Sequence, residues 1–197
     1  MTTLFSVRNL TLPTGQHVSM HLGRGEIHGL TGPSGTGKTR LLRALANLDE
    51  VSADLRLHHK PLGNYQATEW RRRVMLVPTD SRWWLPTAAE HMHKDMHDAA
   101  EKLGLTPARM HAPVTQLSTG EKARCALLRA LSYEPEVLLL DEPTAALDHE
   151  NVHAVEALIK GFSRDHAVLW ITHDELQAER VADHRWQLTA SQLIRVH

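Results

Sequence analysis

Short apolar runs and longer segments of helical periodicity alternate along this chain. The runs at residues 137–140 and 167–171 contain no polar side chain, which is typical of strands covered on both faces of a sheet. Leucines within residues 38–48 recur three and four positions apart, which predicts an amphipathic helix. The alternation predicts an α/β fold with a mainly parallel sheet and helices on both of its faces.

The same patterns predict the remaining elements. Strands are expected at residues 5–12, 18–22, 26–31, 55–58, 74–77, 137–140, 167–171, 185–188 and 193–196. Helices are expected at residues 38–48, 87–103, 120–132, 152–162 and 175–181, with a loop at 107–113. The first strands, separated by turns, indicate a small antiparallel part at the N-terminus.

A glycine-rich segment joins the strand at residues 26–31 to the helix at 38–48. It matches the phosphate-binding pattern G-x-x-x-x-G-K-[ST] with Gly32, Pro33, Ser34, Gly35, Thr36, Gly37, Lys38 and Thr39. Such a loop turns backbone N–H groups toward anionic oxygens, and the helix start adds its positive dipole end. Lys38 supplies charge for the β- and γ-phosphates of a nucleotide, and the Thr39 hydroxyl can bind Mg²⁺. The segment predicts a nucleoside triphosphate site.

Two adjacent carboxylates follow the apolar run at residues 137–140. Ligands bind at this end of the strands in open α/β sheets. Asp141 is therefore expected to hold Mg²⁺, directly or through water. Glu142 is expected to polarise the water that attacks the γ-phosphate. The alternative is that both acids are merely solvated in a turn, but the glycine-rich loop elsewhere in the chain favours a functional pair.

Composition limits the classes of protein that fit. The chain has 197 residues, 42% hydrophobic and 23% charged, with a formal net charge of −1, so bulk charge does not indicate a nucleic-acid partner. The single cysteine, Cys125, cannot form an internal disulfide. Neither a signal peptide nor an apolar run of the roughly 20 residues of a membrane helix is expected. If the protein acts at a membrane, it must dock onto a partner that spans that membrane.

The segment Leu117-Ser118-Thr119-Gly120-Glu121 resembles the L-S-G-G-Q signature of the ABC ATPase family, and the resemblance extends over nearly the whole chain. Ser118 and Glu121 also fit a helix capping box. The resemblance implies a P-loop NTPase (RecA-like) fold. It further implies one ATP-binding domain of residues 1–197, with a nucleotide-binding core at 1–79 and 133–197 and a short helical subdomain at 80–132.

The resemblance implies an activity and its partners. ATP with Mg²⁺ is bound and hydrolysed in a head-to-tail homodimer, where Ser118 and the Gly120 N–H of one copy face the γ-phosphate held by the other. Asp148 belongs to a loop that crosses this seam, and His173 contacts the γ-phosphate. An integral membrane permease is the expected partner. The expected location is cytoplasmic, peripheral on the inner face of the cell membrane, and no nucleic acid is expected.

Several positions depart from the family pattern. Thr79 stands where the family usually has a glutamine near the metal, and Asp80 could supply an oxygen ligand instead. No aromatic residue marks the adenine position near Pro13, for which His17 is a candidate substitute. A further likeness is to small ATPase subunits of a proposed bacterial iron-export pair.

Two features remain open from the sequence. Trp83 and Trp84 either pack under the helical subdomain or line a groove that receives a helix of the membrane partner. His91, His93 and His97 either lie singly on the surface or bind a metal, since His93 and His97 would share one face of a helix.

Other functions also fit part of the pattern. These are a soluble ABC ATPase of DNA repair or translation, a small P-loop kinase, and a weakened nucleotide-dependent regulator. The first usually has two cassettes or a long insertion, the second needs no signature segment, and Glu142 argues against the third.

Overall fold

The computed structural model describes residues 3–196, which form two β-sheets and surrounding helices. The strands are β1 Thr3–Thr11, β2 His17–Gly23, β3 Ile27–Thr31, β4 Asp54–Leu57, β5 Lys60–Pro61, β6 Val74–Val77, β7 Val137–Asp141, β8 Ala167–Ile171, β9 His184–Leu188 and β10 Leu193–Val196. The α-helices are α1 Lys38–Leu45, α2 Ala67–Arg73, α3 His97–Lys102, α4 Pro107–Met110, α5 Thr119–Leu131, α6 His149–Ser163 and α7 Glu175–Val181.

The larger sheet has six strands in the order β10-β9-β3-β8-β7-β6 and is parallel except for the β9–β10 pair. The smaller sheet is antiparallel, in the order β2-β1-β4-β5. The order β3-β8-β7 brings the carboxyl ends of three strands to one edge. The glycine-rich loop after β3 therefore lies beside the turns after β7 and β8. The predicted α/β class is confirmed.

Two hydrophobic cores lie on opposite faces of the six-stranded sheet. One contains the small sheet and the leucines of α1, packed on residues such as Leu139 and Leu169. The other contains residues of α5, α6 and α7, packed on Leu138, Leu140 and Trp170. Strands β7 and β8 are buried throughout, as their apolar sequence predicts.

The prediction of one continuous helix at residues 87–103 is wrong. Ala89–His91 forms one 3-10 turn, and α3 starts only at His97. Between these two elements, side-chain oxygens replace helical carbonyls as acceptors for backbone N–H groups. Ser132 Oγ accepts from His93 N at 2.9 Å, and Asp95 Oδ1 accepts from His97 N at 3.0 Å. The chain therefore leaves the helix path.

Two short helices differ from the sequence prediction. The loop predicted at residues 107–113 contains α4, which Thr106 caps through a hydrogen bond from Arg109 N. Helix α2 was not predicted, because only Trp70 on it is buried and no apolar repeat marks it. Trp70 holds it in place by donating from Nε1 to Leu45 O at 2.9 Å. Across residues 3–196, none of the helices has the length and apolar character that crossing a membrane requires.

Candidate functional site

The glycine-rich loop lies between β3 and α1, and Lys38 is folded into it. Lys38 Nζ donates to Gly32 O at 2.8 Å and to Pro33 O at 3.0 Å. Burial lowers the pKa of Lys38, against the opposing effect of the carboxylates of Glu142 and Asp141. A partly desolvated ammonium group among carbonyl oxygens suits capture of a multiply charged anion.

The first glycine of this loop is required by space as well as by backbone conformation. Gly32 has φ 142°, and a Cβ there would lie 2.3 Å from Leu188 O. The side chain of Gln16 joins this loop to the segment after β9. Its Nε2 donates to Thr36 O and to Thr189 O, both at 3.1 Å. Sequence reasoning missed Gln16, since its partners lie 20 and 173 positions away.

The two residues predicted to hold Mg²⁺ meet across the sheet edge. Thr39 Oγ1 donates to Asp141 Oδ2 at 2.8 Å, and Asp141 is 3% exposed. Burial raises the pKa of Asp141, and the hydrogen bond from Thr39 offsets part of that rise. A hydroxyl and a desolvated carboxylate are oxygen donors of the type that Mg²⁺ prefers, so these residues fit the ion.

The next two predicted residues also meet. Glu142, at φ 52°, directs its side chain to His173, with 2.9 Å between Oε1 and Nε2. Both side chains are partly exposed, so each is accessible to a ligand. Glu142 N donates to Ile171 O at 3.1 Å, which continues the β7–β8 pairing beyond Asp141.

Thr79 lies beside this pair but is turned to the backbone. Its Oγ1 donates to Asp141 O at 3.0 Å. Thr79 thus supports the β7 end through its hydroxyl, and Asp80 lies exposed beside it. Thr79, Glu142 and Thr119 line one cleft of about 100 Å³, so the start of α5 lies near Glu142 in the folded chain.

Ser118 caps α5, as the sequence predicts. Ser118 Oγ accepts from Glu121 N at 3.2 Å, and Glu121 Oε2 accepts from Ser118 N at 2.8 Å. Arg109 adds two bonds of 2.6 Å to the Glu121 carboxylate and, with the Ser118 bonds, lowers its pKa to about 2. Ser118 is exposed, and its hydroxyl proton is free for a ligand outside this chain.

The loop from residue 145 to 148 packs against the same helix start. A Cβ on Gly120 would lie 3.1 Å from Ala146 O, so glycine permits this close approach. Asp148 caps α6 by accepting from Asn151 N at 2.9 Å. Its side chain therefore has a structural use within the chain.

Each of the two environments considered from the sequence for Trp83 and Trp84 is taken by one of the tryptophans. Trp83 packs against the second core, whereas Trp84 is 69% exposed. The Arg129 guanidinium lies 4.6 Å from the Trp83 ring centroid and 5.1 Å from that of Trp84. Trp84, Arg129, Tyr133, Met75, Arg71 and Arg72 line part of a groove of about 630 Å³.

The histidine group at residues 91–97 does not share a helix. His91 is 4% exposed. Its Nδ1 donates to Thr87 O, and its Nε2 accepts from the backbone N–H groups of Trp84 and Leu85. Both ring nitrogens of His91 are thus engaged in holding the tryptophan loop. His17, the candidate adenine contact, is exposed and hydrogen-bonded to Thr11.

Within residues 3–196, one group of three possible metal ligands is formed by Glu26, His28 and His184. Trp186 Nε1 donates to His28 Nδ1 at 2.9 Å, and Arg195 donates to His184 Nδ1 at 2.6 Å. Each neutral ring therefore carries its proton on Nε2, facing Glu26. A metal-binding imidazole instead donates from its other nitrogen, so this arrangement opposes metal binding.

Comparisons with known proteins identify the family of this chain. A family profile described as ABC transporter matches residues 15–145. The chain is 32% identical over 213 residues to the phosphate import ATP-binding protein PstB 1 of Vibrio parahaemolyticus, covering 92% of this chain and 78% of the relative. It is 32% identical over 179 residues to the probable iron export ATP-binding protein FetA of Escherichia coli, covering 81% and 77%.

A solved structure has the same fold. It is described as a bacterial Atm1-family ABC exporter with ATP bound and superposes with a TM-score of 0.85 at 22% identity. The match covers 98% of this chain and 38% of that longer chain. The family profile and the relatives together show that this chain belongs to the ABC transporter family, as an ATP-binding subunit that hydrolyses ATP to drive transport.

Proposed function

We propose that two copies of this chain bind two MgATP molecules between them and power a separate membrane permease from the inner face of the cell membrane. The observation that carries the proposal is the convergence of Thr39 on Asp141 and of His173 on Glu142 beside the phosphate loop. In each site, the phosphate loop of one copy faces Ser118 and the Gly120 N–H of the other. Asp148 lies in the loop at the seam.

The reaction proceeds by attack of water on the γ-phosphate. Lys38 turns from the loop carbonyls to the β- and γ-oxygens. Thr39 and Asp141 would hold Mg²⁺, which would supply positive charge to the phosphate oxygens. Glu142 accepts a proton from the water as its oxygen bonds to phosphorus. The bond between the γ-phosphorus and the β–γ bridging oxygen breaks, and ADP leaves with the electron pair of that bond.

His173 reports the state of the nucleotide in this proposal. Its Nε2 lies 2.9 Å from Glu142 Oε1 and its ring is partly exposed, so in this proposal it contacts both the carboxylate and the γ-phosphate. Departure of phosphate removes the negative charge that joins the two copies. Binding therefore closes the dimer and hydrolysis reopens it.

The groove beside Trp84 is the proposed docking surface for the permease. Its aromatic and arginine side chains are the types that anchor interfaces. The named relatives act in phosphate import and probable iron export. In this proposal, the membrane partner sets the transported substrate, because the site residues of this chain serve the nucleotide.

The Glu142→Gln variant tests the assignment. We expect it to bind MgATP, to lose nearly all hydrolysis, and to form a dimer that light scattering detects only with MgATP. Glu50→Gln, which changes an exposed acid after α1, serves as the matched control with normal hydrolysis. Normal hydrolysis by Glu142→Gln would contradict the role of Glu142, and a monomer at saturating MgATP would contradict the dimer.

A further inference from the structure

One buried side-chain amide joins the two turns that carry Glu142 and His173. Gln177, on α7, is 3% exposed. Its Oε1 accepts from Thr172 Oγ1 at 2.8 Å and from Thr144 Oγ1 at 3.1 Å. Thr172 immediately precedes His173, and Thr144 lies two residues after Glu142. A single oxygen atom is thus the common acceptor for both turns.

An ion pair between the buried Glu156 carboxylate and the partly exposed Arg180 guanidinium fixes the orientation of this amide. Gln177 Nε2 donates to Glu156 Oε1 at 3.0 Å, and Arg180 donates to the same carboxylate at 2.6 and 2.9 Å. Burial raises the pKa of Glu156, but hydrogen bonds from Arg180 and Gln177 outweigh it and hold that pKa below its usual value. The ionised carboxylate only accepts hydrogen bonds, so it selects the amide nitrogen and leaves the oxygen to the threonines.

The threonine protons are directed to the amide as well. Thr172 Oγ1 accepts from Asp174 N at 3.1 Å, which leaves its own proton to donate to Gln177. The chain of bonds runs from α6 through Gln177 to both turns. It adds a side-chain link beyond the last backbone bond of the β7–β8 pair, Glu142 N to Ile171 O.

We propose that Gln177 is a positioning residue for ATP hydrolysis, holding the turns of Glu142 and His173 at the spacing that lets their side chains meet. The inference rests on the roles proposed above for Glu142 and His173. Gln177 acts through the threonine hydroxyls and does not touch the nucleotide. Loss of one link lets one turn shift relative to the other, which lowers the rate of the chemical step more than the affinity for nucleotide.

The test compares Thr172→Val with Thr172→Ser. The valine is similar in shape but has no hydroxyl, and the serine retains it. At a temperature well below unfolding, we expect Thr172→Val to lower kcat by about tenfold or more with little change in KM for MgATP, and Thr172→Ser to restore most of the rate. Thr144→Val and Thr144→Ser repeat the comparison on the other turn.

Two results would overturn the inference. One is a wild-type kcat for both valine variants. The other is an equal fall in kcat for the valine and serine variants of each pair, since the hydroxyl would then be irrelevant. Glu142→Gln, assayed alongside, separates this inference from the proposed function. If Glu142→Gln is inactive and the valine variants match wild type, only the role of Gln177 fails.

Discussion

His173 Nε2 lies 2.9 Å from Glu142 Oε1, at the ends of two neighbouring parallel strands. The two residues are 31 positions apart in the chain, and the β7–β8 pairing brings them together. The same pairing places Asp141 opposite Ile171. The site is therefore built by strand order, and its chemistry depends on a few side-chain contacts between adjacent turns.

Thr39 provides the first prediction. Thr39→Val removes the hydroxyl that donates to Asp141, so the buried carboxylate loses a partner and Mg²⁺ loses a ligand. We expect Mg²⁺-dependent ATP hydrolysis to fall by at least about tenfold, whereas Thr39→Ser keeps most of it. Initial rates over a series of Mg²⁺ concentrations provide the measurement. Indistinguishable Mg²⁺ dependence in the two variants would contradict this role.

Ser118 allows stability and function to be separated. Ser118→Ala removes the cap of α5 and is expected to lower the free energy of unfolding by about 1 kcal/mol. Ser118→Asp retains a capping oxygen but places a negative charge where the partner's γ-phosphate is proposed to bind. We expect Ser118→Asp to unfold near wild type in urea and yet to show no MgATP-induced dimer. Dimer formation by Ser118→Asp would count against the head-to-tail arrangement.

Trp84 tests the docking surface. Because it is 69% exposed, Trp84→Ala is expected to change the free energy of unfolding by no more than about 0.5 kcal/mol. Co-purification with the permease in detergent should nevertheless fall sharply, while nucleotide affinity stays unchanged. Leu176→Ala is the matched control, since Leu176 is 70% exposed on α7. Equal recovery of the permease with both variants would reject the groove as the docking site.

His28 predicts a pH dependence of stability. Burial lowers the pKa of His28 from 6.5 to about 4. The unfolded chain therefore binds a proton that the folded chain excludes between about pH 6.5 and 4, so stability falls as pH falls through this window. The full contribution across this window is on the order of 3 kcal/mol.

The measurement is urea unfolding at pH 7 and pH 5 for wild type and His28→Gln. Glutamine stays neutral, so the variant should lose less stability than wild type on acidification, even if it is less stable at pH 7. Equal losses in the two proteins would show that His28 does not supply this dependence.

Short motifs predict much of the candidate site because the residues of each motif lie close together in the sequence. The phosphate loop, the acidic pair after β7 and the capped start of α5 are all visible in short segments. Gln16, Glu156 and Gln177 were missed, because each bonds to residues distant in sequence and none lies in a recognisable pattern. The tryptophan pair could not be assigned from sequence, because Trp83 packs partly buried against a core whereas the adjacent Trp84 is exposed.

The sequence by itself determined the α/β class and predicted the glycine-rich loop with Lys38 and Thr39 and the acidic pair Asp141 and Glu142. These follow from periodicity and from spacing within short segments, where covalent geometry limits the possible structures. Only the tertiary structure decided that residues 87–103 leave the helix path and that Gln177 joins the turns of Glu142 and His173. Those outcomes depend on hydrogen bonds and packing between distant segments, whose free energies exist only once the chain has folded.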